Sequence, residues 1–178
     1  MVIRNRRMAT IGGLVLLATA VSAGVAIGAG TRTAAVGRSM ERVAVVRSSQ
    51  ILNTTTTSYK TIPGATAKIT VPTGDRALLI ARFTTQVDCN VGDGTPSGNC
   101  MARIMSNAKE MAPASGGSIL DTVLAGNPAG VKSGVLDRSI GPVGPGTYTI
   151  KAQVRVTNAK MIIEVTDWHL TVERIKAA

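Results

Sequence analysis

The sequence predicts an all-β protein, built as a single antiparallel β-sandwich with jelly-roll-like connectivity. Apolar and polar residues alternate with a period of two over long stretches, which is typical of strands buried on one face. Gly, Thr and Val are abundant, and long helical stretches are missing. About eight short strand candidates are separated by Gly- and Pro-rich turns, as in a sandwich. An immunoglobulin-like sandwich is the alternative, but the long C-terminal strands and the uneven middle of the chain favour the jelly roll.

The first 30 residues are predicted to be a signal peptide. Three arginines within residues 1–7 precede an uncharged segment from Met8 to Gly30, and small residues in and after this segment offer several cleavage sites. Cleavage between Gly24 and Val36 would make the protein secreted or extracellular. The alternative is an anchor in the membrane, because 23 uncharged residues are long enough to cross a bilayer.

The rest of the chain is predicted to form one domain. Residues 31–41 are mostly small and polar and read as a flexible lead, and residues 42–178 form the β-sandwich domain. A domain of this size buries roughly two thirds of its extended surface, so a real hydrophobic core is possible. The chain has one Trp, one Phe and two Tyr, so this core must consist mainly of Val, Ile, Leu, Met and Ala.

The first half of the domain contains four strand candidates. They are residues 42–47, 59–62, 66–71 and 76–89, with turns at Pro63-Gly64 and at residues 72–75. The odd-numbered residues of the last candidate form one apolar face. Its even-numbered residues turn polar after Ile80, which predicts a strand that runs from mid-sheet to a solvated rim.

The middle of the chain alternates loops with shorter strands. Asp88 to Cys100 is a loop by composition. The strand candidates that follow are residues 101–105, 109–111, 119–124 and 131–136, with turns at residues 106–108, 126–128 and 141–146. The first two of these candidates form a small hairpin.

The C-terminal segment from Gly146 to Ile175 has the clearest pattern. Apolar residues occupy the even positions from Tyr148 to Val156, and a reversal at Asn158-Ala159 predicts a β-hairpin. The apolar phase later changes from odd to even positions, which requires a bulge or bend at Thr166-Asp167 and turns Trp168 into the core. The inner pairs of this hairpin would be Val156 with Met161, Val154 with Ile163 and Ala152 with Val165.

Cys89 and Cys100 are predicted to form a disulfide that joins two neighbouring strands at the rim of a sheet. They are the two cysteines of a chain that carries export signals, and export generally leads to an oxidising compartment. The acidic and amide residues of the loop between them are not spaced like those of an EF-hand, so no metal site is predicted. The alternative to ligand binding is that these residues only shape a turn. The candidate ligand-binding residues of this loop are Asp88, Asn90, Asp93 and Asn99.

The chain is strongly basic, and the excess charge survives removal of the signal peptide. Residues 1–29 contain three arginines and no acid, so the formal net charge falls only from +10 to +7. Lys151 and Arg155 lie on the outer face of the C-terminal hairpin and form a candidate basic face. An anionic cell-envelope polymer, a glycan or a protein would be a fitting partner, and self-association is a further option. Specific nucleic-acid binding is not expected.

No catalytic residues, metal or cofactor are predicted. His169 is the single histidine, and with Asp167 it takes the outward positions of the last strand, where two ligands make a poor metal site. The sequence contains no Gly-x-Ser-x-Gly elbow and no phosphate or dinucleotide fingerprint. The sequence therefore favours an exported, non-enzymatic β-sandwich module that binds or assembles with an extracellular or cell-envelope partner. The alternative is a secreted hydrolase whose site no motif reveals.

Overall fold

The computed structural model of the protein describes residues 32–34, 40–91, 97–124 and 130–177. The regular secondary structure in these ranges is β-strand, and the strands form two antiparallel sheets that pack face to face. The prediction of an all-β antiparallel sandwich is therefore confirmed. The predicted signal peptide lies outside the described residues, and within them no helix is long and apolar enough to span a membrane.

Eleven strands are found in the described part of the chain. They are β1 (Arg32–Ala34), β2 (Met40–Ser48), β3 (Leu52–Thr54), β4 (Lys60–Val71), β5 (Ala77–Val91), β6 (Gly98–Ser106), β7 (Lys109–Glu110), β8 (Ser118–Val123), β9 (Lys132–Val143), β10 (Gly146–Val156) and β11 (Met161–Lys176). Strand β1 falls within the segment predicted to be a flexible lead, and it pairs with β2.

The eight longer strands are divided equally between the two sheets. Sheet A has the order β1-β2-β11-β5-β9, with β3 beside β11, and sheet B has the order β4-β10-β6-β7, with β8 beside β6. Between these longer strands the chain crosses to the other sheet at every connection except the one from β6 to β8. This connectivity is that of a jelly roll, as the sequence predicted, rather than that of an immunoglobulin-like sandwich.

The predicted pairing of the two C-terminal strands in a hairpin is wrong. Strand β10 lies in sheet B between β4 and β6, whereas β11 lies in sheet A between β2 and β5. Residues 157–160 connect the two strands, and this length is enough to cross the roughly 10 Å between packed sheets. Val154 and Ile163 are both fully buried, as expected, but they enter the core from opposite sheets.

A bulge in β11 turns Trp168 into the core. The pairing of β11 with β5 shifts between Thr166 and His169, and Asp167 has a φ of 45°. The alternation therefore changes phase, so that Val165 and Trp168 are both buried although they are three residues apart. The bulge predicted at Thr166-Asp167 is confirmed.

A second irregularity lies in β4, where the sequence predicted two separate strands. One strand spans Lys60–Val71, and its register against β10 shifts at the position of Pro63 and Gly64. Both residues are exposed, and Gly64 has a φ of 77°. A Cβ atom on Gly64 would lie 3.4 Å from Cζ2 of Trp168, so the bulge of sheet B covers the indole ring of sheet A.

Several strands are longer than the sequence predicted. Strand β5 continues to Val91 and β6 begins at Gly98, so both ends of the predicted loop from Asp88 to Cys100 belong to strands. Strand β9 likewise runs through half of the predicted turn at residues 141–146. Pairing with neighbouring strands extends the sheets into Gly-rich sequence of low strand propensity. The predicted turn at residues 126–128 lies outside the described residues.

The core lies between the sheets and is mostly aliphatic. The odd-numbered residues of β5 from Ala77 to Cys89 are all buried, as the sequence predicted. Trp168 and Phe83 are the largest fully buried side chains. Burying an aliphatic side chain of Val, Leu or Ile size contributes roughly 1.5 to 3 kcal/mol, so the core supplies the main stabilisation of the sandwich.

Charged side chains reach between the sheets at the margins of the core. Nη1 of Arg174 on β11 donates a hydrogen bond to the carbonyl oxygen of Thr70 on β4. Nη2 of Arg138 on β9 donates to Oγ of Ser118 on β8. Both arginines are buried, and buried polar groups need such partners, so these hydrogen bonds tie sheet A to sheet B.

Candidate functional site

The Cys89–Cys100 disulfide is present, with an S–S distance of 2.02 Å. Cys89 belongs to β5 of sheet A and Cys100 to β6 of sheet B, and both residues are fully buried. The bridge therefore crosses the core between the sheets, and its predicted place between neighbouring strands of one sheet is wrong. It joins the sheets at the end of the sandwich where residues 92–97 connect them.

The predicted ligand-binding loop does not form one surface. Asp88 and Asn90 lie on β5 and project from the outer face of sheet A. Asn99 lies on the outer face of sheet B, where its Oδ1 accepts a hydrogen bond from Thr122 Oγ1 at 2.8 Å. Asp93 lies outside the described residues. The structure therefore brings Asp88 and Asn90 together and separates Asn99 from them.

The outer face of sheet A carries acidic side chains that the sequence did not group. Asp88 on β5 is directly opposite Glu164 on β11, which places their Cβ atoms about 5 Å apart. Glu173 lies on the same face, further along β11. Within the described ranges, none of these three carboxylates has a basic group within 4.0 Å. We call Asp88, Glu164 and Glu173 the acidic face.

Arg82 of sheet A pairs with Asp137 and interacts with Glu173 only at longer range. Nε of Arg82 lies 2.6 Å from Oδ1 of Asp137, and this hydrogen bond raises the pKa of the Arg82 guanidinium above its ordinary value. Arg47 projects from β2, on the far side of the β11 bulge from Glu164. Like charges directly opposite each other in a sheet are destabilising, so Asp88 and Glu164 form a repulsive pair.

The predicted basic face is the outer face of sheet B. Lys151 and Arg155 alternate with buried residues on β10 and point outward. Lys68 on the neighbouring β4 also points outward and lies diagonally across from Lys151. In the described part of the chain, these three side chains have no acidic group within 4.0 Å. We call Lys68, Lys151 and Arg155 the basic face.

An aromatic ring packs beside the basic face. The ring centroid of Tyr59 lies 4.0 Å from Cζ of Arg103 and 5.0 Å from Cζ of Arg155, both within cation–π range. The Tyr59 hydroxyl donates a hydrogen bond to the carbonyl oxygen of Gly116 at 2.5 Å. A Cβ atom on Gly117 would collide with this hydroxyl, so the loop before β8 requires glycine there. The ring is therefore fixed over the two guanidinium groups.

Arg103 and Arg155 differ in their partners. Arg103 lies 4.0 Å from Glu110 and donates to Oε1 of Gln153 at 2.8 Å. Among the described residues, the hydrogen-bond partners of Arg155 are the sulfur of Met101, at 3.3 Å, and the carbonyl oxygen of Thr57, at 3.5 Å. Nε of Arg155 is buried and has no hydrogen-bond partner among the described residues. Arg155 therefore has weaker hydrogen-bond partners than Arg103.

His169 lies on the outer face of β11. This side chain is exposed, and its neighbours across β2 and β5 are Arg47 and Thr84. The described residues include no group of three or more His, Cys, Asp or Glu that would hold a metal ion. Trp168 is 1% exposed and is a core residue, and the cavity of about 80 Å³ beside it is far smaller than ligand pockets of roughly 300 to 1,000 Å³.

Two members of the basic face, Lys151 and Arg155, and one member of the acidic face, Asp88, were predicted from the sequence. Lys68 and Glu164 both obey the alternation that identified their strands, so their outward direction was readable. Their positions beside Lys151 and Asp88 could not be predicted, because these positions depend on which strands are neighbours in the sheets. Tyr59 was missed because its position follows from the loop that Gly116 and Gly117 shape rather than from a strand.

No family model and no curated protein matches this chain. Among solved structures, the chain is similar to the CBM22-1 xylan-binding domain of Xyn10C from Paenibacillus barcinonensis, with 11% sequence identity and a TM-score of 0.27. The match covers 84% of this chain and 83% of that chain. At this TM-score the likeness carries no argument about this protein.

Proposed function

We propose that the protein is an exported, non-enzymatic β-sandwich module that binds or assembles with an anionic extracellular or cell-envelope partner through its basic face. The observation that carries the proposal is a set of three cations on one sheet face that have no acidic partner within 4.0 Å among the described residues: Lys68, Lys151 and Arg155. Such a surface attracts anionic polymers, glycans or proteins, and added salt weakens the attraction.

The surroundings of Arg155 support binding of an anionic group at a defined position. The Tyr59 ring restricts the guanidinium, and Nε has no acceptor among the described residues. Arginine binds carboxylate and phosphate groups through two parallel hydrogen bonds, and less entropy is lost when the guanidinium is already held in place. A carboxylate or phosphate of the partner would bind the part of the Arg155 side chain that is exposed to solvent.

The disulfide supports the extracellular part of the proposal. Disulfides form and persist in oxidising compartments, and in this protein the bridge is buried between the two sheets. The predicted signal peptide points to the same location. A net charge of +7 after its removal would also favour association with an anionic cell envelope.

An array of anionic cell-wall polymers and neutral glycans tests the proposed function. We expect retention on anionic polymers at about 50 mM salt and its loss at about 500 mM salt, where charges are screened within a few ångströms. The double variant Lys68→Gln/Lys151→Gln should bind at least about tenfold more weakly, since two cationic contacts are removed.

The matched control removes two exposed lysines from other surfaces. Lys109 and Lys160 lie in the β6–β7 hairpin and in the β10–β11 connection. Lys109→Gln/Lys160→Gln changes the net charge equally and should bind nearly as well as the wild type. Equal losses in both double variants would reduce the proposal to nonspecific attraction. Hydrolysis of a polymer on the array would contradict the non-enzymatic assignment.

A further inference from the structure

The two outer faces of the sandwich carry opposite unpaired charge. Lys68, Lys151 and Arg155 project from sheet B, and the carboxylates of the acidic face project from sheet A on the opposite side of the molecule. We propose that copies of this protein stack face to back, with the basic face of one copy on the acidic face of the next. This inference rests on the proposed function in that it names a protein partner for the same basic face.

The charges of the two faces are complementary. Asp88 and Glu164 face each other across β5 and β11, and in the described part of the chain neither has a basic group within 4.0 Å. A cation from a second copy would relieve the repulsion between them. The cations of the basic face likewise have no acidic group within 4.0 Å among the described residues, so each face offers the charge that the other lacks.

The size of the faces fits a specific contact. Four neighbouring strands at about 4.8 Å spacing and eleven residues at about 3.3 Å give a sheet face of roughly 15 to 20 Å by 35 Å. The resulting area of about 600 Å² per copy approaches the roughly 800 Å² per partner of a standard protein interface.

The arrangement predicts open-ended stacks. The two interacting surfaces are different and lie on opposite sides of one copy, so each contact leaves a free basic face at one end and a free acidic face at the other. The net charge of +10 opposes the approach of two full-length copies, and only the local pairing of opposite charges offsets this repulsion. The association is therefore expected to depend strongly on salt.

Sedimentation velocity of the full-length chain tests this inference. A mild non-ionic detergent keeps the apolar N-terminal segment from driving association by itself. At roughly 100 µM protein, we expect oligomers at about 50 mM salt and monomers at about 500 mM salt. The charge reversals Glu164→Lys and Lys151→Glu should each weaken association at least about tenfold.

Two recombined samples test the geometry of the contact. An equimolar mixture of the Glu164→Lys and Lys151→Glu variants should associate again, because each variant keeps the face that the other has lost. The double variant Glu164→Lys/Lys151→Glu should also regain association, since the exchanged charges attract each other. Wild-type protein that stays monomeric in low salt, or association that neither reversal changes, would overturn the proposal.

Failure of the stack and failure of the proposed function give different results. Glu164→Lys leaves Lys68, Lys151 and Arg155 in place, so this variant should still bind the anionic polymer array while it no longer self-associates. Polymer binding by a strictly monomeric wild type would exclude the stack and keep the proposed function. Self-association without any polymer binding would support the second copy as the partner of the basic face.

Discussion

Nζ of Lys132 lies 2.6 Å from Oδ1 of Asp121, and this ion pair joins β9 of sheet A to β8 of sheet B. The two side chains differ in exposure, at 53% for Lys132 and 4% for Asp121. Oδ2 of Asp121 is buried and has no hydrogen-bond partner in the described part of the chain. The buried carboxylate therefore depends on a lysine that is itself half in solvent.

We predict that Lys132→Met lowers the free energy of unfolding by about 1 to 2 kcal/mol, because it leaves the Asp121 carboxylate buried without its cation. Urea unfolding followed by the fluorescence of Trp168 measures the change. Lys176→Met is the control, since Lys176 and Asp75 form an exposed ion pair at 2.9 Å that contributes little to stability. Equal stability of both variants and the wild type would show that Asp121 does not need Lys132.

Arg174 is expected to be the most sensitive charged residue of the core margin. Besides its hydrogen bond to Thr70, its Nε lies 3.1 Å from Oε2 of Glu41. Arg174→Met should lower the free energy of unfolding by about 2 to 3 kcal/mol, since the hydrogen bond to Thr70 and the ion pair with Glu41 are lost in a buried site. Arg42, its exposed register partner on β2, is the matched control, and Arg42→Met should leave the urea midpoint unchanged. A similar loss in both variants would refute the assigned role.

Loss of the Cys89–Cys100 disulfide should lower the free energy of unfolding by roughly 3 kcal/mol, as expected for a closed loop of this length. The double variant Cys89→Ala/Cys100→Ala measures this in urea without a reductant. Peptide mapping under nonreducing conditions gives an independent check on the bridge. Two free thiols, or a dimer that a reductant dissolves, would disprove it.

Two adjacent isoleucines on β11 test the assignment of the faces. Ile163 is fully buried and Ile162 is 45% exposed. Ile163→Asp should prevent folding, because burying a carboxylate or forcing its protonation costs several kcal/mol, which is comparable to the stability of a domain. Val154→Asp should do the same from the opposite sheet. Ile162→Asp should fold with near-native circular dichroism. An equal loss of folding in the Ile162→Asp and Ile163→Asp variants would contradict the assignment of the two faces.

Arg155→Asp should also fold, because Arg155 lies on the outer face of β10. We expect a larger loss of stability than for Ile162→Asp, since Arg155 packs against Tyr59 and Met101. Thermal unfolding of the two variants compares them directly. A fully unfolded Arg155→Asp variant would mean that this outer face behaves as core.

The faces of the strands were predictable from the sequence, but the neighbours of β10 and β11 were not. A period of two predicts which side chains face the core. It predicted the burial of Val154 and Ile163 and the phase change at Asp167. The same alternation is expected of two strands that pair in a hairpin and of two strands that face each other across a sandwich, since in both cases the apolar side chains point into the core. A four-residue connection permits either arrangement.

The same inability to predict neighbouring strands explains which residues of the candidate site were grouped correctly. Lys151 and Arg155 belong to one strand, so alternation alone placed them on one face. The loop residues from Asp88 to Asn99 seemed a unit because they are close in sequence, yet β5 and β6 belong to different sheets and carry their side chains to opposite surfaces. Grouping by sequence distance fails where the chain crosses between sheets.

The position of β11 in the middle of sheet A has a consequence for the order of folding. Ser48 on β2 pairs with Trp168, about 120 residues later in the chain, and β5 also takes β11 as its neighbour. Contacts of such long range form slowly, because the loop between them must close before any pairing compensates its entropy. As the chain is synthesised, the edges of β2 and β5 that pair with β11 therefore stay unpaired until the whole of β11 has been made. This interval is when the protein is most exposed to aggregation and most in need of being kept unfolded.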